Sequence, residues 1–231
     1  MNQSWEQVQN NDYAHSIQRK VPGYRLLHDT TAIIAEQLFP AEGRILIIGA
    51  GGGEDICTLS ELMPHTRLVG IDSSARMLEI ASQRVKTKSI ELIKAKIHEL
   101  AVHEEFDGAI CLLMFHFIPN EEKQLFLQEL YLRLQPGAQV LLGALADEEE
   151  ESAFRLHFKS WEQYMLRNGG SMKEVNQFKA SIGQTTFLMK ETSFQLLLKN
   201  TGFSTAQRYY QSFFTRAWIF EKRGERVAAE E

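Results

Sequence analysis

Cysteine, clustered basic residues and long apolar runs are all scarce in this chain of 231 residues. Its two cysteines, Cys57 and Cys111, have no spacing that fits a metal site or a disulfide framework, which is typical of a reducing cytosol. No lysine–arginine run exceeds two residues and the net charge is −5, which argues against DNA and disfavours RNA. No apolar run approaches the roughly 20 residues that span a bilayer. We therefore expect a cytoplasmic protein that binds neither DNA, nor a membrane, nor a metal ion.

Short apolar runs alternate with amphipathic stretches through the first 145 residues. Five runs predict buried strands, at 44–48, 67–71, 90–94, 106–114 and 138–145. Helical spacing predicts helices between them, at 29–39, 55–63, 74–86 and 120–134. Ser73 is the expected N-cap of the third of these helices. This alternation predicts an α/β fold with a doubly wound, mostly parallel sheet.

The pattern changes after residue 146, where the charge run DEEEES leads into a helical, aromatic-rich stretch. A helix over 191–200 follows and ends at Gly202, and two strands at 205–211 and 213–221 predict an antiparallel hairpin. We expect a single domain over 1–231. Its parts are an N-terminal cap segment (1–24), a core (about 25–146 and 191–221), a small helical lid (about 147–190) and a flexible tail (222–231).

A glycine-rich loop, Gly49 to Gly53, follows the first predicted strand. A triphosphate-binding loop would end in Gly-Lys-Ser/Thr, but Glu54 and Asp55 stand there and would repel phosphate. A dinucleotide-binding loop needs its third glycine where Glu54 stands. What remains is G-x-G-x-G, followed 23 positions after Gly49 by Asp72, whose carboxylate can accept both hydroxyls of a ribose. The alternative is a tight strand-to-helix turn, with Asp72 as a helix cap.

Three stretches together carry a family resemblance: RILIIGAGGGEDI, LVGIDSSARMLEIA and the segment from FDGAICLLMFHFIP to LQPGAQVLL. Their order and spacing resemble the class I S-adenosylmethionine-dependent methyltransferase family, over about residues 25–221. The resemblance implies a seven-stranded Rossmann-like fold with an antiparallel last strand, and S-adenosylmethionine as cofactor. It further implies a set of cofactor-binding residues: Gly49, Ala50, Gly51, Gly53, Asp72, Ser73, Met77, Lys96, Ile97, Leu112 and Leu113.

A narrower likeness lies upstream, in IQRKVPGYRLL at residues 17–27. It is similar to the N-terminal segment of the carboxy-S-adenosylmethionine synthase branch, where the tyrosine touches the methionine end of the cofactor, so Tyr24 joins the predicted contacts. That branch holds its additional carboxylate with an asparagine and an arginine, and here those places carry Leu112 and Leu197. A buried carboxylate without a cation would be poorly compensated, which favours plain S-adenosylmethionine.

The chain departs from the family pattern at two acidic positions. The acid that often stands two residues before the first glycine, where it helps to fix the methionine amino group, is Ile47. The acid near the adenine amino group is Lys96, although the backbone of Lys96 or Ile97 could still meet the adenine edge. Glu54 or Asp55 could replace the first acid in part.

Methyl transfer from a sulfonium depends mainly on positioning and desolvation, so the sequence need not display a catalytic group. His116, just past the fourth strand, is the best candidate for a general base because strand ends form the ligand crevice of such sheets. The alternative is a hydrogen-bonded histidine in an aromatic turn.

Three functions follow from these patterns. The leading prediction is a methyltransferase acting on a small-molecule acceptor. The alternatives are a carboxy-S-adenosylmethionine synthase-like enzyme of tRNA modification and a methyltransferase-fold module that binds a ligand without catalysis. The aromatic lid and the N-terminal segment are compatible with a homodimer, but no pattern requires one.

Overall fold

The structure is a computed structural model that describes residues 17–85, 90–102 and 105–224. Its main helices are α1 (Tyr24–Leu38), α2 (Glu54–Leu62), α3 (Ala75–Arg84), α4 (Lys123–Leu132), α5 (Glu151–Arg167), α6 (Met172–Ser181) and α7 (Glu191–Thr201). Its strands are β1 (Arg44–Ile48), β2 (Arg67–Asp72), β3 (Ile90–Lys94), β4 (Phe106–Leu112), β5 (Leu134–Leu145), β6 (Gln207–Ser212) and β7 (Thr215–Glu221). Short 3-10 turns at Ile97–Glu99 and Phe115–Phe117 follow β3 and β4.

The strands form one seven-stranded sheet in the order β3-β2-β1-β4-β5-β7-β6. Strands β1 to β5 are parallel, and β7 runs antiparallel to both β5 and β6. The predicted doubly wound α/β fold and its closing hairpin are therefore confirmed. The strand order reverses between β1 and β4, and sheets of this kind bind ligands beyond the carboxyl ends of the strands at that point.

Strand β1 shows why the central strands read as continuous apolar runs. Ile45 and Ile47 belong to the core cluster on one face of the sheet, and Leu46 and Ile48 belong to the cluster on the other. All four side chains are almost fully buried. Each buried aliphatic side chain of this size stabilises the fold by about 1.5–3 kcal/mol, so β1 anchors both layers of helices.

Several helices begin at other residues than the sequence predicted, and α4 begins at Lys123 rather than at residue 120. Helix α1 starts at Tyr24 rather than at residue 29, because Gly23 adopts a left-handed φ of 76° and the apolar spacing extends back to the buried Leu27. Ser74, not Ser73, caps α3, since its Oγ accepts a hydrogen bond from the Met77 amide at 3.2 Å. The predicted end of that helix at Lys86 lies outside the described residues.

Strand β5 also begins earlier than predicted, at Leu134, and runs through the Gln-Pro-Gly stretch that the sequence marked as a turn. Leu134 pairs with Phe106, and the Gly137 amide donates to the Lys222 carbonyl at 2.8 Å. Between these contacts the register with β4 shifts and Gly137 has a φ of 82°, so the predicted turn is an irregularity within the strand. Of the predicted flexible tail, residues 225–231 lie outside the described residues.

Helices α5 and α6 cover the end of the hairpin. Trp161, Met165, Val175 and Phe214 form their own apolar cluster, as expected for aromatic residues at helical spacing. The Trp161 indole donates to the Lys20 carbonyl at 2.8 Å, which ties α5 to the N-terminal segment. None of the helices among the described residues is both long enough and apolar enough to cross a membrane.

Candidate functional site

A cavity of about 520 Å³ lies at the carboxyl ends of β1, β2, β3 and β4. Its size falls within the range of about 300–1,000 Å³ that is usual for small-molecule sites. The wall contains eleven of the twelve predicted cofactor residues: Tyr24, Gly49, Ala50, Gly51, Asp72, Ser73, Met77, Lys96, Ile97, Leu112 and Leu113. Gly53 is the exception, and Gly52 lines the cavity beside it. The structure thus brings the predicted set together, while the binding role of each residue stays a prediction.

The glycines of the loop are required for different structural reasons. Gly49, Gly51 and Gly53 all have positive φ, a region that side chains with a Cβ rarely adopt. A Cβ on Gly49 would lie 2.8 Å from the Cβ of Met114, so glycine permits the loop to meet the end of β4. A Cβ on Gly53 would lie 3.1 Å from the backbone of Ala81, so this glycine serves the start of α2 and its packing on α3.

Asp72 ends β2 and is oriented by two backbone amides. The Gly51 amide donates to its Oδ2 and the Ser74 amide to its Oδ1, each at 2.9 Å. A carboxylate offers about four lone-pair sites, so these bonds fix the group without exhausting it. Asp72 is therefore more than a helix cap: it joins the glycine loop to α3 and presents its carboxylate to the cavity.

A polar pair in the same cavity, His28 and Asp55, is absent from the predicted site residues. His28 Nδ1 is hydrogen-bonded to Asp55 Oδ1, and both residues line the wall. Burial alone lowers the pKa of His28, but the charge and hydrogen bond of Asp55, with Glu54 and Asp29, raise the pKa above its ordinary value. His28 was overlooked because the predicted helix began one residue after it, which concealed its spacing of four from Tyr24.

A second ion pair borders the same part of the wall. Arg84 Nη2 donates to Glu54 Oε2 at 2.6 Å, and Nη1 donates to the Gly52 carbonyl at 2.9 Å. The guanidinium thus clamps the glycine loop to α3. Arg84 comes from the last turn of α3, far from the loop in sequence, so no local motif pointed to it.

Comparison with known proteins supports one interpretation of this geometry. Residues 45–137 match the family model described as a methyltransferase domain. The carboxy-S-adenosyl-L-methionine synthase of Actinobacillus succinogenes is 25% identical over 205 residues, which cover 85% of this chain and 84% of that protein. The protein of the same name from Mannheimia succiniciproducens is 26% identical over the same shares. These similarities support the interpretation of the chain as a class I S-adenosylmethionine-dependent methyltransferase.

Solved structures of other methyltransferases share the fold. A chain from the complex between the Haloferax volcanii Trm112 methyltransferase activator and a methyltransferase has a TM-score of 0.67 at 13% identity, covering 93% of this chain and 96% of that chain. The magnesium protoporphyrin IX methyltransferase of Synechocystis PCC 6803, solved with bound S-adenosylmethionine, has a TM-score of 0.58 at 14% identity, covering 93% and 92%. The seven-stranded Rossmann-like sheet is therefore the fold that these methyltransferases share.

The backbone of Lys96 and Ile97, which the sequence places near the adenine, differs from the expectation in one detail. The Lys96 amide donates to Glu99 Oε2 at 2.6 Å, so that amide is already engaged by its own turn. The first amides of a helical turn have no partner within the turn, and Ile97 is the first residue of the 3-10 turn that follows β3. The Ile97 backbone is thus better suited than that of Lys96 to meet an adenine edge.

His116 is not placed as a general base. Its ring is buried, it does not line the cavity, and its Nδ1 accepts a hydrogen bond from the Leu145 amide at 3.3 Å. Burial, with a smaller effect from the Lys123 charge, lowers the pKa of His116 to about 3. The structure thus shows a buried histidine that supports the end of β5 and does not line the cavity.

The lid does not contribute to this cavity. None of the residues that line it comes from 147–190. A second hollow of about 430 Å³ lies against that segment, and its wall includes Asn120, Asp147, Glu149, Phe187 and Lys190. Since Pro119 lines the cavity and Asn120 the hollow, the turn after β4 separates the two spaces.

Proposed function

We propose that the protein transfers a methyl group from S-adenosylmethionine to a small-molecule acceptor. The observation that carries this proposal is the cavity at the strand-order reversal, which joins the glycine loop, Asp72 and the end of β4 in one wall. When bound, S-adenosylmethionine supplies a methyl group on a positively charged sulfonium, which a nucleophile displaces in line. The bond from the acceptor to the methyl carbon forms as the carbon–sulfur bond breaks, and S-adenosylhomocysteine leaves. An acceptor with a proton on its attacking atom loses that proton to a base or to water, and the rest of the catalysis is positioning and the exclusion of water.

The residues of the wall suit those two tasks. The glycine loop lets the backbone approach a ligand closely, and the Asp72 carboxylate is oriented to accept the two hydroxyls of a ribose. Met77 and Leu112, both buried, supply apolar surface on either side of the loop. The far part of the wall combines the apolar side chains of Phe117, Ile118 and Phe126 with two acids, Glu122 and Glu129. Its apolar side chains would help to keep water from the reacting atoms.

Transfer of a labelled methyl group tests the proposal. Purified protein is incubated with S-adenosylmethionine carrying a tritiated methyl group and a panel of probes: a phenol, a carboxylic acid, an amine and a thiol. We expect label on at least one probe, and a loss of about 10- to 100-fold with Asp72→Ala, since hydrogen bonds to a charged group contribute about 1.5–3 kcal/mol. Glu36→Ala, at an exposed acid of α1 outside the wall, is the matched control and should retain activity within about three-fold. Label on none of the probes, or the same rate of labelling with Asp72→Ala as with the unmodified protein, would contradict it.

A second candidate, a carboxy-S-adenosylmethionine synthase-like enzyme, is favoured by the names of the relatives that cover 85% of the chain. Two positions speak against it. Leu112 presents an apolar side chain to the cavity, and Leu197 packs against the hydrophobic core instead of lining the wall. Neither supplies the polar or charged group that an additional carboxylate needs. Mass spectrometry of the products formed with prephenate decides between the candidates, since only a synthase would yield the carboxylated cofactor.

A further inference from the structure

The family's usual carboxylate for the methionine amino group is missing from the wall. Ile47 stands at that position, is 1% exposed and belongs to the apolar cluster beneath the loop. The amino-acid end of S-adenosylmethionine carries an ammonium and a carboxylate, and each is costly to bury without a partner of opposite charge. The cavity must therefore satisfy both groups with other residues.

His28 and Asp55 have the properties that this end requires. They come from α1 and α2, lie side by side through the hydrogen bond at His28 Nδ1, and both line the cavity. Tyr24 packs against the imidazole, with ring centroids 4.3 Å apart, and restricts its movement. Among the described residues, His28 Nε2 is buried and has no hydrogen-bond partner. Buried polar atoms are rarely left so, and each exception calls for an explanation, such as a bound water, an ion or a functional role.

The neighbouring charges are already engaged. Arg84 donates hydrogen bonds to Glu54 and to the Gly52 carbonyl. Arg84 and Glu54 are therefore less available to a ligand than His28 and Asp55. The Gly51 amide is engaged too, because it donates to Asp72. His28 and Asp55 are thus the pair with an open binding capacity on this part of the wall.

We propose that His28 and Asp55 form the subsite for the amino-acid end of the cofactor, in place of the acid lost at Ile47. Asp55 accepts hydrogen bonds from the ligand ammonium, and His28 Nε2–H donates to the ligand carboxylate. This inference rests on the proposed function, and it adds a specificity: the site selects an adenosyl sulfur compound that keeps both its amino and its carboxyl group.

The proposal gives binding a definite pH dependence. With Nδ1 bonded to Asp55, His28 donates from Nε2 only as the imidazolium, which carries a proton on both nitrogens. Affinity for a carboxylate should therefore fall as the pH rises through the pKa of His28. The titratable and charged groups that surround the imidazole are Tyr24, Asp29, Glu54, Asp55, Arg84 and, through Thr31, Tyr209. The acids among them stabilise the protonated form of His28, and the ligand carboxylate would stabilise it further.

Calorimetry with three probes separates the two contacts. S-Adenosylhomocysteine has both groups, decarboxylated S-adenosylmethionine lacks only the carboxylate, and 5′-methylthioadenosine lacks the whole amino-acid end. We expect His28→Gln to weaken S-adenosylhomocysteine by about 10- to 100-fold and to leave the other two probes unchanged. Asp55→Asn should weaken both compounds that carry an ammonium and leave 5′-methylthioadenosine unchanged. His65→Gln, an exposed histidine beyond α2, is the matched control.

Each other outcome overturns the inference in a recognisable way. Equal losses for all three probes would mean that the pair serves the fold and not the ligand. Unchanged affinity of S-adenosylhomocysteine in His28→Gln, or a pH profile shared by that variant and the unmodified protein, would remove His28 from the subsite. If the unmodified protein binds none of the probes, the proposed function fails along with the inference, whereas binding that ignores the variants overturns the inference alone.

Discussion

At the scale of single residues, the carboxylates and their partners decide what the cavity can bind. Asp72 is fixed by two backbone amides, and Asp55 is fixed by the buried ring of His28. The two acids are in different chemical situations, since one is held by neutral donors and the other by a histidine whose pKa is raised above its ordinary value. The contribution of the His28–Asp55 pair can therefore be tested by varying the pH.

The free energy of unfolding should depend on pH through His28. Because the folded pKa of His28 is raised above its ordinary value of 6.5, the contribution of the pair is fully present below that pH and is lost as the pH rises through the folded pKa. Urea unfolding of the protein and of His28→Gln between about pH 6 and pH 9 measures this. We expect a difference of about 1.5–3 kcal/mol at the acidic end that shrinks as the pH rises. A difference that stays constant would contradict it.

At the scale of elements, the loop between β1 and α2 shows how backbone geometry shapes the site. Gly49 has a φ of 72° and would place a Cβ against Met114, whereas Gly137 has a φ of 82° with no heavy atom within 4 Å of such a Cβ. Alanine at either position would have an unfavourable left-handed backbone, but only at Gly49 would its Cβ also clash with the Met114 side chain. They therefore form a matched pair for substitution.

Gly49→Ala and Gly137→Ala should separate strain from collision. Left-handed backbone costs a residue with a Cβ about 1–2 kcal/mol, and both variants should show that loss in thermal or urea unfolding. Only Gly49→Ala should also weaken S-adenosylhomocysteine, by about ten-fold or more, because Met114 must move within the cavity wall. Equal affinities for the two variants would show that this approach does not shape the site.

The strands and the closing hairpin were predictable because a buried parallel strand imposes an apolar run that local sequence displays. Ile45 to Ile48 are one example. The glycine loop and Asp72, with the family resemblance that they help to carry, predicted many of the residues that line the cavity. Other features depend on contacts between distant residues. His28 and Asp55 are 27 positions apart, and the start of α1 depends on the left-handed Gly23. No local pattern contains either, which is why the polar pair was missed and His116 was preferred.

At the scale of the whole molecule, the helices α5 and α6 are joined to the rest through Phe214 and through the bond from Trp161 to Lys20. The sequence predicts a single domain, and these contacts lead us to expect one cooperative unfolding transition. Circular dichroism and tryptophan fluorescence should give coincident curves. Phe214→Ala should lower the free energy of unfolding by about 3–5 kcal/mol. Two separated transitions would mean that the segment 147–190 unfolds on its own.

The central claim is that the cavity at the strand-order reversal is an S-adenosylmethionine site. The most direct measurement is a calorimetric titration of the purified protein with S-adenosylhomocysteine, repeated with Asp72→Ala. The account predicts one binding site per chain and a loss of affinity of about 10- to 100-fold in the variant. No heat of binding with the unmodified protein, or the same affinity in Asp72→Ala, would contradict it.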